Sequence, residues 1–361
     1  MKQRNGYCVL ALIGMLFVQP VYALESLSDD ELSNVDAQAL LNLKYIDQGG
    51  TNPNASIGFY RLGLEGSIDL NANIRRLQLG CGGDKGAGCD IDIENLRFTG
   101  VGGTSATDSG PATDFNLTNP FIELAIKNPS IAATREFVGM RVGALSALGA
   151  MTFGENPNTS NLADDTGINT LSGDLNVNII NAVMTNVNVC VGFTAFGACV
   201  GIPLSGSATV DNYSQQLVVN RQATIADLGP MTAVASGSLL GLTLTNTHIS
   251  GLPFRTVHRI DVRDPSGANT PTKDFYISVQ KQDVIWQKLS TDSFAGATAA
   301  QKGWWLSIPQ VVMENITSND RVDVGAFAAL GGAAFGTRVD IAPLDLGQRP
   351  ADNCYGSLTF C

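Results

Sequence analysis

The sequence predicts an all-β protein of elongated antiparallel sheets, arranged as a sandwich or an irregular stack, with one short helix near its N-terminus. Three observations carry that expectation. Apolar and polar residues alternate with a period of two along most of the chain. The alternating runs are short, rich in β-branched and aromatic residues, and closed by Gly, Pro or Asn. Only 15% of the residues are charged while Gly reaches 39, against roughly 25% charged residues in ordinary soluble domains, so the polar faces must be built from Asn, Thr and Ser.

From the N-terminus, Lys2 and Arg4 precede an apolar run from Val9 to Val18, and Val21-Tyr22-Ala23 offers small-residue cleavage chemistry. The run is far shorter than the ~20 residues that span a bilayer. It reads as a secretory signal over residues 1–23, cut between Ala23 and Leu24. Cys8 lies inside the run rather than at the cut, which argues against a lipid-modified terminus. No later apolar stretch is long enough to cross a membrane as a helix.

Residues 24–48 are expected to hold the helix. Ser28 fits the N-cap, Asp29 and Asp30 the first turn, and Glu31 the position that closes a capping box, with Leu27 and Leu32 spaced as a hydrophobic staple. Leu32, Val35 and Ala39 then give a narrow apolar stripe, to lie against the sheets or against a partner such as the export or assembly machinery.

The body is read as a first β region over 49–163 and a second over 164–361, or as one continuous β domain over 49–361. Its clearest runs are "CDIDIENLRF", "DFNLTNPFIELAIKNP", "LSGDLNVNIINAV", "TNVNVCVGF", "GSLLGLTLTNTHI", "KDFYISVQKQDVIW" and "RVDVGAF". In the third, Leu175, Val177 and Ile179 fall on one sheet face and Asp174, Asn176 and Asn178 on the other. The turn-rich stretches at 156–167 and 263–274 mark a joint and a long hairpin loop. No fixed-period repeat supports a solenoid.

Seven cysteines are present, and six follow the leader in three close pairs. Spacing leaves the connectivity open, but loop-closure entropy favours near neighbours, giving Cys81–Cys89, Cys190–Cys199 and Cys354–Cys361. Each such small loop is worth about 2.5 kcal/mol in the chain-entropy account, and the bridges suit an oxidising compartment. Zinc is a poor fit, since no C-x-x-C occurs and His248 and His258 are distant in sequence from every pair.

Net charge is −11, and loss of the leader's two cations makes the remainder more acidic. That disfavours nucleic acid as a partner and docking on anionic lipid. Asp84, Asp90, Asp92 and Glu94 form the densest carboxylate group, a minor candidate for Ca²⁺ against the plainer reading of a solvated strand face. No cofactor is implied. Serine-hydrolase, zinc-protease and P-loop signatures are missing, so the chain is expected not to be an enzyme. Trp286, Trp304 and Trp305 are the remaining cluster. Adjacent tryptophans on opposite strand faces would bury one and expose the other to a sugar or a subunit. An outer-membrane barrel fits less well, because many strands are short, aromatics are only 7% and Cys361 ends the chain where a terminal aromatic is expected.

The segment Leu24, Leu27, Ser28, Asp29, Leu32, Ser33, Val35 and Gln38 resembles the N-terminus of FilA-like pilus-system proteins of Gram-negative bacteria. So do the block from Phe59 to Gly100 and the later "TREFVGMRVGALSALG", "GINTLSG", "FYISVQKQDVIW" and "QKGWWLSIP". Where that family carries Gly two residues after Val35, this chain has Ala37. The resemblance implies an exported cell-surface or pilus-associated structural protein, located in the periplasm, on the outer surface, in a pilus or outside the cell. By the same resemblance it is expected to act in adhesion or assembly with other pilus or cell-surface proteins, and no catalytic residues carry over. A secreted carbohydrate-binding or carbohydrate-cleaving β protein is the alternative expectation.

Overall fold

The structure is a computed structural model and describes residues 40–101, 114–155, 162, 164–195, 198–237, 241–314 and 316–350. The signal segment with its Ala23–Leu24 cut, the capped helix and the Cys354–Cys361 pair lie outside those residues. The chain divides into a unit ending at Leu40 and a second unit from Leu41 onward; everything below concerns the second.

Its strands, in chain order, begin with β1 (Leu41–Ile46), β2 (Ile57–Leu64), β3 (Ser67–Leu70), β4 (Ala72–Leu79), β5 (Ile91–Thr99), β6 (Phe115–Lys127) and β7 (Glu136–Thr152). There follow β8 (Ile168–Ile179), β9 (Ala182–Ala195), β10 (Ala198–Val210), β11 (Tyr213–Gln222), β12 (Thr224–Gly237) and β13 (Gly241–Pro253). The last are β14 (Arg259–Val262), β15 (Thr272–Gln280), β16 (Val284–Ile285), β17 (Ala299–Ala300), β18 (Gly303–Met313), β19 (Thr317–Ser318), β20 (Val322–Gly325) and β21 (Val339–Ile341). Among the described residues one α-helix, α1 (Ala326–Phe335), interrupts them.

The all-β expectation is met, with two corrections. Residues 41–46, assigned by sequence to the helical segment, are strand β1. The sheets are mixed rather than purely antiparallel, because β18 runs parallel to β8, β21 to β13, and β19 and β20 to β9. Strands from both sides of residue 163 share one twelve-stranded sheet, so the two β regions form one continuous body.

That sheet returns on itself. β7 pairs β15, β15 pairs β18, β18 pairs β8, β8 pairs β5, and β5 pairs β7 again. From this ring β6, β2 and β1 extend as a flap, in the order β7-β6-β2-β1. A seven-stranded sheet, built on the β9-β10-β12-β13 meander, shares the main core with it. Leu175, Val177 and Ile179 of β8 meet Leu228, Met231 and Leu252 of β12 and β13 there, so the alternation in "LSGDLNVNI" buries the side it predicts. A second core fills the inner side of the flap, where Phe59, Phe121, Tyr276 and Trp305 lie under Val284, Trp286 and Leu289.

Cys81 and Cys89 are bonded, with Cα atoms 3.8 Å apart. The expected Cys190–Cys199 bridge is not compatible with the backbone. Cys190 stands opposite Pro203 and Cys199 opposite Thr194, a displacement of four residue pairs, or about 13 Å at a strand's rise per residue. A disulfide needs Cα atoms within ~7 Å. Loop-closure entropy favoured the pair, but hairpin register overrides it.

Candidate functional site

Two surfaces and one buried hub hold the chemistry. The hub is the carboxylate group expected near the disulfide. Asp90 is buried, its Oδ1 accepting from Lys85 Nζ and Arg221 Nε at 2.9 Å each and its Oδ2 from the Trp304 amide at 2.9 Å. Burial pushes its carboxyl up, but the amide and the two cations together hold it below the usual carboxylate range. Arg221 also donates to the carbonyls of Gly80, Gly82 and Lys85, clasping the Cys81–Cys89 loop. Gly80 and Gly303 adopt positive φ beside Asp90, and a Cβ on either would run into its Oδ2.

Asp92 accepts from Arg76 and Gln78 at 3.0 and 3.1 Å, and Glu94 from Asn169 at 2.9 Å with Arg76 3.9 Å away. The Asp84 side chain lies outside the described residues. Of the four Ca²⁺ candidates, Asp90, Asp92 and Glu94 are thus engaged by protein cations and amides, and no group of three metal-ligating side chains is found among the described residues.

The first surface is the outer face of the flap. Register aligns Leu43, Leu62, Ile122 and Val142 in one cross-strand row, all exposed, with Leu43 at 80%. Beside it runs Tyr45, Tyr60, Leu124 and Met140, the two tyrosine rings 4.6 Å apart. One residue out of phase, on the inner face, run Lys44, Arg61, Glu123 and Arg141. Arg141 is buried with Glu123 at 2.6 Å, donates to Gln287 O at 2.8 Å, and lies 5.0–5.1 Å from the centroids of Phe121, Tyr276 and Trp286. Among the described residues β1 pairs only with β2, so the apolar face ends at an open edge.

The second surface is a cleft of about 260 Å³. Its floor is the polar face of β15, β18, β8 and β11: Tyr276, Ser307 and Asp174 form one cross-strand row, and Asn176 stands opposite Gln216. Gln310 enters from the bulge in β18, receiving Asn176 at 3.1 Å. The segment from Trp286 to Thr298 covers it. Asp274, at positive φ, fixes that cover by accepting the Leu289 and Ser290 amides at 2.6 and 2.8 Å. Burial pushes the Asp174 carboxyl up, outweighing the hydrogen bonds that Trp305, Ser307 and Thr298 give it. Burial also raises the Tyr276 phenol. Two polar atoms of this region are buried without a partner among the described residues, the Trp286 indole N–H and Gln287 Oε1.

The tryptophans are brought to this region but not as expected. Trp305 is 0% exposed, its indole donating to Asp174 Oδ1 at 2.8 Å, and Trp286 is 2% exposed under the flap. Neither is a surface contact. Trp304 faces the other way, half-buried against the main core, so the adjacent pair does split between faces and both sides are packed. His248 sits between Asp227 and Asn246, and His258 is buried between Phe153 O and Asp165; neither lines the cleft. The sequence placed Asp174 and Asn176 on a polar strand face but assigned neither them nor Gln216, Asp274 or Gln310 to a site. The signal available was the unusual run of Asp and Asn on one face of β8, which needs a polar neighbour to face.

No protein-family model matches the chain, and neither curated proteins nor solved structures give a match.

Proposed function

We propose that this chain is an exported, non-catalytic structural protein of the cell surface that works by assembly, adding a further copy of itself along β1 in the manner expected of a pilus-associated subunit. The observation that carries this reading is the exposed row Leu43–Leu62–Ile122–Val142 at an open sheet edge. A contiguous apolar face on a sheet whose last strand is paired on one side alone among the described residues is a template for strand addition. The acidic chain makes an anionic membrane a poor alternative occupant. The leader, the Cys81–Cys89 bridge and the likeness to pilus-system proteins support the exported setting.

The test is light scattering on the leader-free chain over a wide concentration range, beside a Leu43→Lys/Leu62→Lys variant, with shearing and fractionation of the producing cells. Wild type should associate as concentration rises and appear in the sheared surface fraction. The variant should stay monomeric with an unchanged urea midpoint. A wild-type chain that remains monomeric throughout and is found only free in the medium refutes the assembly reading.

A further inference from the structure

The hairpin of β9 and β10 changes character along its length. In its supported half Met184, Val187, Ala208 and Val210 are buried in the main core, and Thr185, Asn186, Ser207 and Thr209 supply the polar positions. Asn188 opposite Ser205 is the last polar pair. Beyond it "VCVGFTA" (Val189–Ala195) runs against "ACVGIPL" (Ala198–Leu204) for about 23 Å at a strand's rise per residue. Neither stretch holds a charge, and Thr194 is the one hydroxyl or amide side chain in them. β12 accompanies β10 only over Gly206–Val210, and β20 accompanies β9 only over Val187–Cys190. Among the described residues no strand therefore flanks Val191–Ala195 or Ala198–Ser205, and the polar alternation stops where the flanking strands stop. Helix α1, which follows β20 and lies beside β9, has no polar side chain either, and its Leu330 and Phe335 are exposed.

A two-stranded ribbon is marginal in water by itself. One without a polar face needs cover for its side chains and partners for the backbone along its edges. Hydrocarbon supplies the cover and nothing for the N–H and C=O groups. The outer face of the flap supplies both, since its exposed Leu43–Leu62–Ile122–Val142 row is uncharged and ends at β1, paired only with β2 among the described residues. Two copies of a chain of net charge −11 repel each other except where neither surface carries charge. Pro203 removes a donor from β10, which leaves β9 as the edge to pair, and its open stretch Val191–Ala195 is close in length to the six residues of β1. We propose that Val191–Ala195 of one copy adds as a strand along β1 of the next, giving a head-to-tail contact that does not close and so builds a filament. This rests on the assembly reading and names the part of the second copy that it uses.

Hydrogen–deuterium exchange on the full leader-free chain, below and above its associating concentration, gives the first test. Amides of 41–46 and of 191–195 should slow together, at least tenfold. The second test mixes two variants: Leu43→Lys/Leu62→Lys, which keeps the ribbon, and Phe193→Lys/Thr194→Lys, which charges both ribbon faces and keeps the flap. Unchanged urea midpoints establish that both are folded. Wild type should grow past the dimer, each variant alone should stay monomeric, and their equimolar mixture should stop at a dimer. Slowing at 41–46 alone, a ribbon variant that assembles as wild type, or a mixture of folded variants that stays monomeric each overturns the proposal and leaves the assembly reading standing. Wild type that stays monomeric at every concentration overturns both.

Discussion

Replacing Asp90 by Asn tests whether the disulfide loop is held by a buried ion pair. The asparagine keeps the shape but presents one carbonyl where two carboxylate oxygens now receive Lys85, Arg221 and the Trp304 amide. Turned toward the cations, it weakens two charge-assisted bonds by roughly 1 kcal/mol each and sets its own NH₂ against the Trp304 N–H, at about 1–3 kcal/mol for the stranded donor. The Lys85 and Arg221 side chains are 23% and 15% exposed, so water recovers part of this, and the expected loss is about 2–4 kcal/mol. Equilibrium urea unfolding at neutral pH reads it as a lower midpoint with an unchanged slope. The carboxyl of Asp90 is depressed in the folded state, so its contribution is complete above the unfolded value of about 3.9 and disappears as pH falls through the folded value. Wild type and variant should therefore converge on acidification. A loss under about 1 kcal/mol, or a gap that stays constant down to acid pH, refutes the hub.

Asp174 should behave oppositely: burial raises its carboxyl, so its stabilising contribution is present below the unfolded carboxylate range and is lost as pH rises through the folded value. Asp174→Asn keeps the acceptor for Trp305 and should raise the urea midpoint at neutral pH with no gain at low pH. Arg141→Ala leaves the buried Glu123 with Arg61 alone, 3.6 Å away, and should cost about 3 kcal/mol, the lower end for breaking a buried ion pair. Arg141→Lys should still lose about 2 kcal/mol, because a single ammonium cannot serve Glu123 and Gln287 O together while stacked among three rings; thermal unfolding separates the two. Serine at both Cys81 and Cys89 should cost about 2.5 kcal/mol, and peptide mapping by mass spectrometry should recover the Cys81–Cys89 link and no Cys190–Cys199 link. Gly303→Ala places a methyl against Asp90 at positive φ and should destabilise by more than about 1 kcal/mol.

The fold class was legible because the side-chain period of two survives burial on one face: Leu175, Val177 and Ile179 are buried where the alternation puts them. What the alternation cannot convey is which strand lies beside which. The parallel seam between β8 and β18 joins segments more than a hundred residues apart, and nothing local in "GWWLSIP" specifies it. That seam creates the cleft, since Asp174 and Ser307 meet only across it. The disulfide pattern was half legible for a related reason: short spacing found Cys81–Cys89, but in β9 and β10 the ladder, not proximity in sequence, sets the distance. The acidic group near Cys89 read as a possible cation site because its partners, Arg76 and Arg221, come from other strands.

β18 lies between β8 and β15, and it is the last member of the closed ring to be made. Until Gly303–Met313 has appeared, the cylinder has a slot along its length, and the indole destined for Asp174 has not yet been synthesised. A chain growing from its N-terminus therefore cannot lock shut early. It stays threadable for most of its synthesis, a property that would serve the export proposed for this chain.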